Sequence, residues 1–200
     1  PFEGEGDGTI EALRRFPWPS SKDPGLYRGL RERARKLHEE TEYAVVFYPR
    51  AGFWAEAEWL RGFGEFYSDL VTNKKFIHAL LDKILEIKLE IVMRALTETR
   101  DYVDVVLAGD DLGTQNGPMI SMQMYEEFVK PRQRLLFETM KRAAPGARIL
   151  YHCDGCIDMF IPHLIEAGIE GLNPVQVSAK NMGDTARLKR EFGKDLFFWG

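Results

Sequence analysis

Five short apolar runs punctuate the chain, each separated from the next by a segment of helical periodicity, and this alternation limits the fold more than any other feature. The runs lie at residues 43–48, 103–107, 148–151, 171–175 and 196–199. They are rich in β-branched and aromatic residues and too short for helices, so they read as strands. Between the first two runs lies 53–70, dense in aromatics, followed by a long helix over 73–99. There Phe76, Leu80, Ile84, Ile87 and Ile91 recur as one apolar stripe. A helix over 121–143 is capped by Ser121 and kinked or broken near Pro131. A further helix ends at Gly168, and a last one spans 184–192 before Gly193. Residues 26–40 read as an exposed, charge-laced helix. Residues 1–25 read as an irregular arm whose Phe2, Phe16 and Trp18 pack on the body. Short strands alternating with helices predict parallel βα units, with both faces of the sheet covered.

Five such units fit an open doubly wound sheet or part of a (β/α)8 barrel. No glycine-rich nucleotide fingerprint follows any of the runs. Polar residues gather instead at the C-terminal ends of several strands: Arg50, then Asp110 and Asp111, then His152 and Asp154, then Asn173 and Gln176. In a barrel these ends converge on one mouth, where catalytic residues sit. The expected fold is therefore α/β, a TIM barrel present as an incomplete segment, because a closed barrel needs eight strands and about 250 residues. The 200 residues are read as a single domain, cut from a longer chain.

Composition closes off other classes. Hydrophobic residues make up 44% and the formal net charge is −4, so nothing global favours nucleic acid or an anionic membrane as partner. No run is long enough to span a bilayer and no secretory signal is visible. Two cysteines, Cys153 and Cys156, exclude a disulfide scaffold. The chain reads as cytoplasmic, acting on a small molecule, with its oligomeric state open.

Four stretches carry a resemblance. They are Gly109-Asp110-Asp111-Leu112-Gly113-Thr114-Gln115, the helix ending Phe128-Val129-Lys130-Pro131-Arg132, the strand with His152, and Gly171-Leu172-Asn173-Pro174-Val175-Gln176. Together they resemble the uroporphyrinogen decarboxylase superfamily, a (β/α)8 barrel family that also contains cobalamin-dependent methyltransferases. The resemblance runs from about residue 16 to 200 and implies that the five strands are the third to the seventh. The methyltransferase branch carries His-x-Cys-Gly at the fifth strand, whose His and Cys bind zinc with a further Cys. Here the stretch is His152-Cys153-Asp154-Gly155, with Asp154 at the cysteine position and Cys153 and Cys156 flanking it. The resemblance thus implies a metal set drawn from His152, Asp154, Cys153 and Cys156. It implies zinc-assisted activation of an acceptor, with a corrinoid carrier protein as partner and its cobalamin as methyl donor or acceptor. Decarboxylation of a porphyrinogen is the alternative within the superfamily.

The residues themselves permit several roles. His152 and Asp154, two apart at a strand end, point to the same side, and zinc accepts both types. The alternative is a buried histidine beside two packed cysteines. Cys153-Asp154-Gly155-Cys156 also has the form of a redox pair. Asp110 and Asp111 read either as catalytic groups at substrate or metal, with Gln115 and Tyr125 nearby, or as turn formers and helix caps. Asn173 and Gln176 read as substrate contacts or turn devices, and Arg50 as a carboxylate binder. His38, His78 and His163 read as structural. The aromatic cluster at 53–67 either floors a pocket or caps the barrel end.

Overall fold

The computed structural model describes residues 1–2 and 8–200; residues 3–7 of the expected arm lie outside the described residues. Five strands, β1 (Val46–Ala51), β2 (Val105–Gly109), β3 (Arg148–His152), β4 (Gly171–Asn173) and β5 (Phe197–Phe198), form one parallel sheet in the order 1-2-3-4-5. Every strand therefore pairs with its neighbour in sequence. Right-handed crossovers repeated in one direction put all connecting helices on one face of the sheet. That is barrel winding, whereas a doubly wound sheet reverses direction and fills both faces. The barrel is not closed, and β1 and β5 are edges. The expectation that both faces are covered is corrected accordingly. Along β2, Val106 and Ala108 are fully buried under the helices while Val105, Leu107 and Gly109 on the opposite face are half-buried.

The arm is more ordered than its prolines imply. It contains α1 (Ile10–Arg15), whose Thr9 hydroxyl accepts from the Ala12 amide. Phe2 is buried against Phe16 and Phe76 as anticipated. The buried Arg61 guanidinium, paired with Asp69 at 2.7 Å, also donates to the Phe2 carbonyl. After the charged α2 (Leu30–Glu40) comes β1, displaced from its expected position at 43–48. Pro49 lies inside this strand rather than ending it. An edge strand tolerates the missing N–H, and the register shifts between Phe47 and Ala51, where Arg50 adopts φ 54°. Nor is β1 a buried strand, since Val46 and Tyr48 are exposed.

The aromatic segment forms two helices, α3 (Trp54–Arg61) and α4 (Phe63–Thr72), ahead of the long α5 (Lys74–Thr99). After β2, Ser121 caps α6 (Met122–Met124), its hydroxyl accepting from the Met124 amide. The expected kink is a π-helical turn over Tyr125–Val129, leading into α7 (Lys130–Ala143) with Pro131 in its first turn. Proline has no N–H to continue the i→i−4 ladder, and the wider turn absorbs the break. Beyond β3, a 3-10 turn (Asp158–Phe160) leads into α8 (Ile161–Ala167), stopped by Gly168 at φ 117°. The short β4 is followed by α9 (Thr185–Phe192), capped by Asp184, and then by β5.

Candidate active site

Gly109, His152 and Asn173 stand side by side in register at the C-terminal ends of β2, β3 and β4. The preceding row, Ala108, Tyr151 and Leu172, is buried under the helices. By strand alternation, His152 and Asn173 face the opposite, barrel-interior side. A Cβ on residue 109 would lie 2.7 Å from the His152 carbonyl oxygen and 2.8 Å from its Cβ. Glycine there is what lets the backbone and Cβ of His152 lie so close to β2. Beyond the strand ends, the His152 Nε2 lies 3.9 Å from an Asp111 carboxylate oxygen and 3.7 Å from one of Asp154.

The loops carrying the two aspartates are pressed together backbone to backbone. Gly155 has φ 87°, and a Cβ there would sit 2.6 Å from the Gly113 carbonyl oxygen. The Cys156 amide donates to the Thr114 carbonyl at 2.8 Å, and the Asp154 amide donates to the Asp111 carboxylate at 3.1 Å. Gln176 fastens the same loop from the β4 side, its side-chain oxygen accepting from the Gly155 amide at 2.7 Å. One ligand atom each from Asp111, His152 and Asp154 all fall within 4.8 Å of one another. Two carboxylates and an imidazole are donors that zinc and similar divalent ions accept. Ligand atoms on a tetrahedral ion lie roughly 3.3 Å apart for bonds of about 2 Å. The three groups stand somewhat wider than this, with both carboxylates solvent-accessible, and their donor types fit a metal.

His152 and Asp154 thus meet as anticipated, and Asp111 completes the group. Cys153 and Cys156 do not join it. Two successive strand residues face opposite sides, so Cys153 is buried on the helix side, where its sulfur accepts from the Leu112 amide at 3.3 Å. Cys156 is buried too, donating to Asp158 at 3.5 Å. Both are free thiols, and burial pushes both of their pKa values up, the opposite of what a nucleophilic or redox thiol needs.

Asp110 also turns to the helix side. Fully enclosed, its carboxylate accepts from the amides of Phe53, Trp54 and Ala55 at 2.9–3.1 Å, capping α3. Burial pushes its pKa up to about 7; the Glu56 charge adds to the rise, and the three amides only partly oppose it. Of the two roles open to Asp110, the structure displays the cap. Tyr125 is away from the mouth. It stacks on Phe160 at 4.6 Å and donates to Gln133, whose amide donates to the Tyr151 hydroxyl. Gln115 meets its neighbours through its backbone, accepting from the Lys180 amide at 2.9 Å while its side chain is exposed. Arg50 is exposed at the end of β1, without an ion pair among the described residues. Asn173 and Gln176 both touch the site, through His152 Nδ1 and Gly155.

A further pair escaped the sequence reading. Glu58 on α3 and Tyr67 on α4 are half-buried, with the phenol donating to the carboxylate at 2.5 Å and contacting Met119 of the β2 loop at 3.7 Å. Burial pushes the Glu58 carboxyl up despite hydrogen bonds from Tyr67 and Trp54, and the Asp111 charge adds to the rise. Trp54 and Glu58, four apart on one helix, are the only trace this pair leaves in the sequence.

Among the described residues no helix is long and apolar enough to cross a membrane. No curated protein sequence matches the chain. Among solved structures, a methyltransferase from Methanosarcina mazei aligns with a TM-score of 0.57 at 16% identity, over 87% of this chain and 47% of that one. At that identity the likeness is one of fold, and the chain spans about half the length of that neighbour. The sequence profile of the uroporphyrinogen decarboxylase (URO-D) family matches residues 51–191. That match covers more than half of the chain, from the end of β1 through the triad to α9, and the chain belongs to the uroporphyrinogen decarboxylase family.

Proposed function

We propose that the protein is a methyltransferase of this family, moving a methyl group between a corrinoid carrier protein and a small acceptor, with a divalent metal, zinc foremost, held by Asp111, His152 and Asp154. The observation that carries the reading is the meeting of those three side chains at the mouth. The fold shared with a methyltransferase supports it. When bound, the metal supplies Lewis acidity that lowers the pKa of an acceptor thiol or hydroxyl. The two carboxylates offset a divalent charge. In the forward direction the methyl group leaves cobalt without its bonding electrons and joins the acceptor sulfur or oxygen. The electron pair stays on cobalt, which falls from the III to the I state, and the acceptor proton passes to solvent. Burial raises the Glu58 carboxyl pKa beside Asp111, and the carboxylate accepts from the Tyr67 hydroxyl.

The second reading, decarboxylation of a porphyrinogen, draws on Arg50, an exposed guanidinium at the mouth edge without an ion pair among the described residues. One experiment separates the two. The purified protein is incubated with methylcobalamin and a panel of thiols and phenols, and separately with uroporphyrinogen. Methylcobalamin consumed in proportion to methylated acceptor, and lost in His152→Ala, supports methyl transfer. Release of carbon dioxide from uroporphyrinogen, undiminished in His152→Ala, overturns it.

A further inference from the structure

His152 has two ring nitrogens, and the residues around it decide which carries the proton. Its Nδ1 lies 2.8 Å from the Asn173 side-chain oxygen. The amide nitrogen of Asn173 in turn donates to the Trp199 carbonyl at 2.9 Å. Trp199 removes the usual ambiguity of an amide side chain. Were the amide flipped, its oxygen would face another carbonyl oxygen, two acceptors with no hydrogen between them. The oxygen of Asn173 therefore faces His152, and as it can only accept, Nδ1 must donate. A neutral imidazole donating from Nδ1 has its lone pair on Nε2. Nε2 is the nitrogen facing Asp111 at 3.9 Å and Asp154 at 3.7 Å. A metal cation seated between this lone pair and the two carboxylates would satisfy all three groups.

We infer that Asn173, oriented by the Trp199 carbonyl, is a positioning residue that holds His152 as the Nδ1–H tautomer and thereby presents Nε2 as a ready metal ligand. The inference rests on the metal reading proposed above and names the device that prepares the site. The sheet register supplies the geometry: His152 and Asn173 are direct partners across β3 and β4, and the Trp199 amide pairs with Leu172 just beyond β5. Three adjacent strands thus line up carbonyl, amide and imidazole in one row. Removing such a partner of a ligating histidine weakens metal binding by about 10–100-fold in other proteins.

Two measurements test it. The first is the long-range proton–nitrogen correlation spectrum of His152 in metal-free protein labelled with 15N-histidine, recorded where the ring is neutral. The Nδ1–H pattern is expected in the wild type and in Asn173→Asp, whose carboxylate can also accept. Asn173→Leu is expected to lose it, with an unchanged far-UV spectrum certifying the fold. The second is zinc affinity by competition with a chromophoric chelator. Asn173→Leu is expected to weaken zinc by about 10–100-fold, with Asn173→Asp within about threefold of the wild type. An Nε2–H ring in the wild type, or a tautomer unchanged in Asn173→Leu, overturns the inference. Zinc bound equally by wild type and Asn173→Leu overturns it too, while leaving the metal site intact. Failure of the wild type to bind zinc at all sinks the metal reading instead, and the tautomer measurement still judges Asn173.

Discussion

Asp110 stages a competition between burial and hydrogen bonding that can be read out as a function of pH. Its carboxyl is wholly enclosed, which favours the neutral form, yet it accepts three backbone N–H groups at a helix N-terminus, which favours the anion. Burial wins, and the pKa rises to about 7, against about 3.9 in the unfolded chain. The sign follows. Between these values the folded state binds more protons than the unfolded one, so this group's contribution is fully present below about pH 4 and is lost as pH rises through 7. Linkage with those two values gives a loss of roughly 2–3 kcal/mol between about pH 5 and pH 8. Asp110→Asn keeps an acceptor oxygen for the amides but cannot titrate. Urea denaturation of both proteins near pH 5 and pH 8 isolates the group, because other titrations cancel in the difference. The variant is expected to gain roughly 2–3 kcal/mol on the wild type across that interval. A difference constant with pH, or one moving the other way, refutes the reasoning and means that the amides hold the carboxylate ionised.

Three further outcomes are expected. Gln133→Leu strips both tyrosine hydroxyls of their shared partner at a wholly buried position; it should cost about 1–3 kcal/mol by urea denaturation, and a loss near zero would mean water replaces the amide. Gly155→Ala forces a side chain onto φ 87° and against the Gly113 loop. Strain of about 1–2 kcal/mol, and a weakened zinc affinity as Asp111 and Asp154 part, should appear in denaturation and in chelator competition; an unchanged affinity contradicts the loop-docking role. Cys153→Ala with Cys156→Ala should leave zinc affinity within about threefold, since ligands alone carry larger penalties; a tenfold loss would restore the cysteines to the metal set.

The barrel winding was legible because it follows from periodicity and handedness, which are local rules repeated along the chain. That Asp111, His152, Asn173 and Gln176 gather at one end of the sheet was legible for a related reason: each lies at or just beyond the C-terminal end of a readable strand. Errors arose where local rules yield to neighbours. Pro49 looked like a strand terminus, yet β1 is an edge with a bulge, where a missing N–H costs little. Cys153 was grouped with His152 and Asp154 on motif likeness, although strand alternation alone sends it to the opposite face. Asp110 and Asp111, adjacent and chemically identical, separate by that same alternation into a helix cap and a neighbour of His152 and Asp154. Glu58 and Tyr67 left only the Trp54–Glu58 spacing as a trace, because their approach depends on how α3 and α4 pack.

The metal site is tested most directly by stoichiometric zinc titration of the purified, metal-stripped protein alongside Asp111→Asn, His152→Ala and Asp154→Asn. One zinc per chain is expected in the wild type, with each variant binding at least about tenfold more weakly and His152→Ala most of all. Zinc bound with the same affinity after His152→Ala, or no zinc bound by the wild type, would contradict the assignment of Asp111, His152 and Asp154 as a metal centre.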